Sequence, residues 1–116
     1  MNFDIIELDG IKVFSLNEKK LDTNNSGLVK AEVTSLIKNE NITKLIIDLS
    51  DVETCDSSGL SALLVANRLI ASINGEVVFV TKSSKLVQLI SITQLHRVLK
   101  VTKDIKEAIS ELNEKK

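Results

Sequence analysis

The predicted fold rests mainly on one segment, Leu45–Ala66, with the sequence LIIDLSDVETCDSSGLSALLVA. It begins with a short apolar run, which is typical of a strand buried on both faces of a sheet. A polar, acidic loop follows, and the segment Asp56–Gly59 leads directly into a helical pattern of apolar residues that begins at Leu60. Aspartate and serine side chains accept hydrogen bonds from the free amides of a first helical turn. The stretch therefore predicts a buried strand, a loop and a helix, with serine hydroxyls at the start of that helix.

The predicted elements of the whole chain alternate between strands and helices in the order ββαβαβαβα. Phe3–Leu8 and Ile11–Leu16 are β-like runs separated by Asp9-Gly10, a dipeptide typical of a type I′ hairpin turn. The glycine of Asn74-Gly75 is expected to end the second helix in the left-handed conformation. The other predicted elements are strands Thr43–Leu49, Val77–Thr81 and Arg97–Val101, a helix capped within Asp22–Asn25, a helix from about Ser58 to Ser72, helices capped by Ser83 or Ser84 and by Thr102, and a frayed end at 114–116. This order predicts an α/β fold with helices packed on a sheet.

Length and composition favour a single domain spanning residues 1–116. Hydrophobic residues make up 43% of the chain and charged residues 27%, as in ordinary soluble proteins. Because the formal net charge is −1 and the only aromatic residues are three phenylalanines, neither nucleic acid nor a membrane is an expected partner. No run approaches the roughly 20 apolar residues of a membrane span, and the N-terminus does not resemble a signal peptide. The lone cysteine, Cys55, has no internal partner, so we expect a cytoplasmic protein.

The central stretch also contains a motif. Asp48 lies near the end of the predicted buried strand, and Cys55 directly precedes the run Asp56–Leu60, DSSGL, which opens the second helix. With this arrangement the chain resembles the STAS domain family, specifically the stand-alone anti-sigma-factor antagonists of bacteria. The resemblance implies a mixed β-sheet with packed helices over nearly the whole chain. It also implies that the serine before the glycine, Ser58, is phosphorylated, with Ser57 as the alternative.

The same resemblance covers a second segment, in which Leu21-Asp22 is followed by Asn25-Ser26. In the family this segment lies beside the phosphorylatable loop. The resemblance therefore implies a partner-binding surface, formed by Asp22, Asn25, Asp56, Ser57, Gly59 and Leu60. Helix capping is the alternative role for these polar residues, because any strand-to-helix loop can supply caps of this kind. The chain departs from the family pattern at Lys19, where such sequences usually have a glycine.

Other kinds of chemistry fit the sequence less well. The nucleophile pattern G-x-S-x-G is absent, and His96 is the only histidine available for Ser-His-Asp catalysis. Clusters of metal ligands, P-loops and dinucleotide fingerprints are also missing, so we expect no metal, no cofactor and no enzymatic activity. A phosphoacceptor receiver domain would need an acidic pair after the first strand, but that strand leads into the Asp9-Gly10 hairpin. Cys55 is expected to be a small apolar contact under the loop.

The expected function is that of a switch protein. The resemblance implies an unphosphorylated form that binds a serine-kinase anti-sigma factor and thereby releases a sigma factor. Phosphorylation of Ser58 would end that interaction, and a phosphatase would restore it. Two other functions remain open from the sequence. One is an accessory STAS subunit of a lipid transporter or of a larger signalling assembly. The other is an acyl-transfer enzyme that uses Ser58 as its nucleophile.

Overall fold

The computed structural model describes residues 1–114. Over that range the chain forms seven strands, four α-helices and one 3₁₀ turn. The strands are β1 (Phe3–Leu8), β2 (Ile11–Leu16), β3 (Lys20–Leu21), β4 (Lys44–Asp48), β5 (Thr54–Cys55), β6 (Glu76–Val80) and β7 (Lys100–Thr102), and the helices are α1 (Ser26–Asn39), α2 (Ser57–Ala71), α3 (Ser84–Ile92) and α4 (Ile105–Glu114), with the 3₁₀ turn at Leu95–Arg97. The predicted α/β class is confirmed.

Five strands form one mixed sheet in the order β1-β2-β4-β6-β7. Only β1 and β2 are antiparallel, and their register runs without interruption from Phe3 opposite Leu16 to Leu8 opposite Ile11. The other neighbours are parallel, so helices connect them as crossovers. A separate two-stranded parallel sheet joins β3 to β5. Consequently, the segment after β2 and the loop after β4 lie side by side at one end of the molecule.

Two apolar clusters lie on opposite faces of the five-stranded sheet. One cluster contains Phe14, Ile47 and Phe79 from the strands, together with apolar residues of α1, α2 and α3. The other contains Ile46 and Val78 with apolar residues of α4. Successive residues of a strand point to opposite faces, and both faces of the central strand β4 are covered. This is why the β4 run reads as continuously apolar in the sequence.

Several local predictions are confirmed. Asp9 and Gly10 have φ angles of 52° and 80°, the two positive values that a type I′ turn requires. Ser83 caps α3, because its hydroxyl oxygen accepts a hydrogen bond from the Leu86 amide at 3.2 Å. The central strand and the following helix also lie where they were predicted.

Other local predictions are wrong, each for a local reason. Asn74 (φ 61°), not Gly75, takes the left-handed conformation after α2; Gly75 is needed instead because a Cβ there would lie 2.8 Å from the carbonyl oxygen of Thr43. Asp104, not Thr102, caps α4 through the Glu107 amide. Two further predictions differ in their boundaries. The predicted strand Arg97–Val101 is divided into a 3₁₀ turn and β7, and Glu114, predicted to be frayed, belongs to α4. The rest of the expected frayed end lies outside the described residues.

Candidate functional site

The start of α2 is held by the side chain and the backbone of one residue. Asp56 is the N-cap, and its Oδ1 accepts a hydrogen bond from the Gly59 amide at 3.0 Å. Its carbonyl oxygen accepts from the Leu60 amide, also at 3.0 Å. The bond from the Gly59 amide is the main reason that the pKa of Asp56 lies below its ordinary value; a bond from Thr23 lowers it further. Because the aspartate is the cap, α2 begins at Ser57, one residue earlier than predicted.

The small sheet brings the Asp22–Asn25 segment against this helix start. Leu21 in β3 lies opposite Cys55 in β5, and the Leu21 carbonyl oxygen accepts a hydrogen bond from the Asp56 amide at 3.2 Å. The Thr23 hydroxyl donates to Asp56 Oδ2 at 3.3 Å. Two segments more than 30 residues apart in sequence are thus joined by backbone and side-chain bonds into one surface.

Asp22 and Asn25 build a tight turn and do not cap α1 through their side chains. Asn25 Oδ1 accepts from the Asp22 amide at 3.0 Å, while its Nδ2 donates to the carbonyl oxygen of Lys20 at 2.8 Å. Asp22 Oδ1 accepts from the Asn24 amide at 2.9 Å. Asn25 occupies the N-cap position, as predicted within Asp22–Asn25, but it makes no side-chain cap bond. The two side chains instead fix the shape of the segment.

Lys19 fits the backbone where the family pattern has a glycine. It is not among the described residues with positive φ, so the lysine side chain causes no left-handed strain there. Its carbonyl oxygen accepts from the amides of Glu53 at 2.7 Å and Thr54 at 3.3 Å. The departure from the pattern therefore leaves the β3–β5 pairing intact.

Gly59 is required because the chain approaches it very closely. A Cβ at this position would lie 2.5 Å from the Leu21 carbonyl oxygen and 2.5 Å from Cys55 Sγ. Real Cβ atoms essentially never show such distances, so a side chain here would force α2 away from the Leu21 backbone. Gly59 thus determines how closely the helix start and the Asp22–Asn25 segment are packed. The sequence showed the glycine but not the backbone that passes over it.

The remaining predicted site residues differ in their exposure. Ser57 is exposed and Ser58 is partly exposed, and in residues 1–114 neither hydroxyl makes a hydrogen bond within the chain. Gly59 is buried, and Leu60 is only 6% exposed and packs in the larger apolar cluster. The two serines can therefore touch a partner directly, whereas Gly59 and Leu60 support the surface from beneath.

Cys55 is half-buried below this surface and packs against the larger apolar cluster. Burial, and next the carboxylates of Asp56 and Asp22, raise the pKa of its thiol to about 12. The thiol is therefore protonated at neutral pH and is a poor nucleophile. Its packing agrees with the predicted apolar contact. In the described part of the chain, no three histidine, cysteine or acidic side chains are grouped as metal ligands would be.

Replacement of Asp56 by alanine is expected to destabilise the protein, because the Gly59 amide loses its acceptor. We expect a melting temperature lower by roughly 3–6 °C at pH 7. Asn at an N-cap is nearly as good an acceptor as Asp, so Asp56→Asn is the matched control and should stay near wild type. Because the pKa of Asp56 is lowered on folding, its ionic contribution is complete above the ordinary aspartate value and disappears as the pH falls below it. Thermal melts of the three proteins at neutral and acidic pH test both points. Equal melting temperatures for all three at pH 7 would contradict the capping role.

Comparison with known proteins identifies the family. The sequence profile of the STAS domain matches residues 2–108. A Thermotoga maritima protein with a provisional assignment as an anti-sigma factor antagonist is 31% identical over 103 residues, which cover 89% of this chain and 91% of that protein. The crystal structure of a T. maritima protein with the same provisional assignment superimposes with a TM-score of 0.86, covering 96% of this chain and 94% of the other.

More distant solved structures share the fold. The anti-sigma factor antagonist SpoIIAA in its unphosphorylated form is 16% identical, with a TM-score of 0.74 and coverage of 99% and 100% of the two chains. The murine anion transporter Slc26a9 matches 94% of this chain with only 18% of its own length, at 21% identity and a TM-score of 0.76. The fold alone therefore does not select one function. The profile match together with the Thermotoga relatives shows that this chain belongs to the STAS domain family, among relatives named as anti-sigma factor antagonists.

Proposed function

We propose that this protein is a phosphorylation-switched anti-sigma factor antagonist that acts by binding and not by catalysis. Its unphosphorylated form binds a serine-kinase anti-sigma factor through the start of α2 and the Asp22–Asn25 segment. That binding releases a sigma factor. The observation that supports this proposal is Ser58 itself. It is a partly exposed residue whose hydroxyl makes no hydrogen bond in the described chain, and it lies on a helix start that is fixed to a second polar segment.

The position of Ser58 suits a covalent phosphate. It lies in the first turn of α2, where free amides and the helix dipole favour negative charge. Asp56 already occupies the Gly59 amide, so a phosphate would add charge beside an existing carboxylate. The modification would therefore change the charge of the surface much more than it would change the fold.

A kinase and a phosphatase complete the proposed cycle. The kinase is the anti-sigma factor itself, which transfers a phosphoryl group from ATP to Ser58. The phosphatase hydrolyses the phosphoserine and restores the binding form. SpoIIAA has been solved in a phosphorylated as well as an unphosphorylated form, so at least one protein of the same fold can be phosphorylated.

The proposal predicts that the cognate kinase phosphorylates Ser58 and not Ser57. Incubation with kinase and ATP should give one phosphate per chain, and phosphopeptide mapping should place it on Ser58. Ser58→Ala should abolish incorporation. The matched control is Ser57→Ala, which removes the hydroxyl of the adjacent, more exposed residue and should remain a substrate. A phosphate found only on Ser57, Thr54 or Ser61 would contradict this assignment.

Two alternatives are separated by other observations. An accessory subunit of a lipid transporter or a larger signalling assembly would use the same fold, as the transporter Slc26a9 also contains it. A gene for a transporter ATPase beside this one, in place of a kinase gene, would favour that role.

An acyl-transfer enzyme would need an activated Ser58, but no base is hydrogen-bonded to this hydroxyl in residues 1–114. A probe for reactive serines is therefore expected to leave Ser58 unlabelled.

A further inference from the structure

The two edges of the five-stranded sheet differ in their protection. The β7 edge has only three residues, all partly buried, and Lys100 on it forms an ion pair with Glu76 at 3.0 Å. The β1 edge has six residues, five of them exposed. Natural sheets usually protect an edge by shortness, lysine, proline, a bulge or a covering element. β1 contains no lysine or proline, and its register with β2 has no bulge.

β1 also exposes large apolar side chains on both of its faces. Ile5 is 37% exposed on one face, while Ile6 and Leu8 are 50% and 37% exposed on the other. Its two carboxylates already have neighbours within the chain: Asp4 accepts from Asn17 Nδ2 at 2.7 Å, and Glu7 lies 3.4 Å from Lys12 Nζ. The edge is therefore apolar along its centre, and its charges are partly compensated.

The free backbone groups of β1 belong to alternate residues. Hydrogen-bonded and non-hydrogen-bonded pairs alternate along an antiparallel pair of strands. The Asn17 amide donates to the Asn2 carbonyl oxygen at 2.8 Å, which makes the even-numbered residues of β1 the bonded ones. The amides and carbonyls of Phe3, Ile5 and Glu7 therefore point away from β2, toward the open edge.

We propose that β1 pairs with β1 of a second copy of this chain in an antiparallel, two-fold symmetric arrangement centred on Ile5. In this register Ile5 lies opposite Ile5 of the second copy, and Phe3 lies opposite Glu7. All three residues with free backbone groups then pair, which gives about six interchain hydrogen bonds. A register centred on Asp4 or on Ile6 would form only about four hydrogen bonds between the residues of the two β1 strands.

Charge favours the same register. A symmetric antiparallel pair must match residues whose free backbone groups face each other, so odd-numbered residues pair with odd and even with even. Asp4 therefore cannot lie opposite Glu7. Centring on Asp4 would place two aspartates opposite each other, which is destabilising. Centring on Ile5 places each Asp4 opposite Ile6 and each Glu7 opposite Phe3, so no two carboxylates are direct partners.

The test is the mass of the protein in solution as a function of concentration. Because a single strand pair buries little surface, we expect a dissociation constant on the order of micromolar. Sedimentation analysis should show the mass rising from 12.8 kDa toward twice that value as concentration increases. Ile5→Lys should weaken association at least about tenfold, because two lysines would face each other.

Matched variants identify the register and control for folding. Ile6→Lys removes a similar apolar side chain but places lysine opposite Asp4, so it should dimerise at least as well as wild type. Ile5→Lys and Ile5→Glu should each associate at least about tenfold more weakly than wild type, and an equal mixture of the two should recover the wild-type affinity. Circular dichroism confirms that each variant folds.

A wild-type protein that stays monomeric at every concentration would overturn the proposal; the β1 edge would then be available to pair with a strand of another protein. A dimer that is insensitive to Ile5→Lys, or is broken by Ile6→Lys alone, would overturn it as well.

Discussion

Phosphorylation of Ser58 is expected to weaken binding to the kinase anti-sigma factor by at least about 100-fold. The phosphate adds about −1.5 to −2 charges to a surface that already has Asp56 at the helix cap and exposed Asp51 and Glu53 in the preceding loop. A partner that contacts a neutral serine would have to bury this charge without a counter-ion. Burial of an unpaired charge costs several kcal/mol, so affinity is lost at the interface.

Two substitutions separate charge from the loss of the hydroxyl. Ser58→Asp places a carboxylate at the same point in the first turn of α2 and should reproduce much of the loss. Ser58→Ala removes only an oxygen that has no hydrogen bond in the described chain, so it should bind nearly as well as wild type. Ser58→Ala should also remain bound when ATP is added, because it cannot be phosphorylated. Calorimetric titration of the purified kinase anti-sigma factor with each variant measures these affinities.

This interpretation requires that neither phosphorylation nor Ser58→Asp changes the fold. A helix start favours negative charge, so the phosphoprotein and Ser58→Asp should give the circular dichroism spectrum of the wild type. Equal affinity of wild type and Ser58→Asp for the kinase anti-sigma factor would contradict the proposed mechanism but not the family assignment. Loss of binding in Ser58→Ala would instead make the hydroxyl an essential contact or a nucleophile, and would favour one of the alternatives.

Gly59→Ala is expected to lower the free energy of unfolding by about 2–3 kcal/mol. The added Cβ would lie 2.5 Å from the Leu21 carbonyl oxygen and 2.8 Å from Leu21 Cγ. A carbonyl in the β3–β5 pairing cannot move without loss of its hydrogen bond to the Asp56 amide. The gain in helix propensity from glycine to alanine, about 1 kcal/mol, is too small to offset this overlap.

Gly27→Ala is the matched control for this prediction. Gly27 lies in the first turn of α1, is exposed, and has no atom within 4 Å of the position that a Cβ would occupy. The same substitution should therefore stabilise the protein, by about 0.4–1 kcal/mol. Urea denaturation of both variants measures the difference. Opposite signs are the expected result, and a Gly59→Ala variant as stable as Gly27→Ala would contradict the close approach.

The sequence was most informative where one side-chain pattern determines the structure. Asp9-Gly10 predicted the hairpin, because two adjacent positive φ angles leave few other choices. The apolar run of β4 and the spacing of apolar residues in α2 predicted the central strand and helix. In each case the information is local, so no knowledge of distant contacts was needed.

The rest of the site depends on contacts between distant segments. Strands β3 and β5 have two residues each, too few to show any alternation, and their pairing rests on backbone hydrogen bonds. The bond from Thr23 to Asp56 and the passage of Leu21 over Gly59 leave no periodic signal in the chain. Only the family pattern placed Asp22 and Asn25 near the helix start. Even that pattern did not show that these side chains bond within their own turn.

The close packing of Gly59 against Leu21 limits how a kinase could recognise Ser58. A serine in an extended peptide can be recognised through the residues beside it in the sequence. Here Gly59, which follows Ser58, packs closely against the Leu21 backbone, and the next residue, Leu60, is part of the core. The serine cannot be drawn into an extended conformation without unravelling the start of α2. An enzyme that modifies it must recognise a folded shape, so specificity would reside in tertiary structure and not in a linear sequence motif.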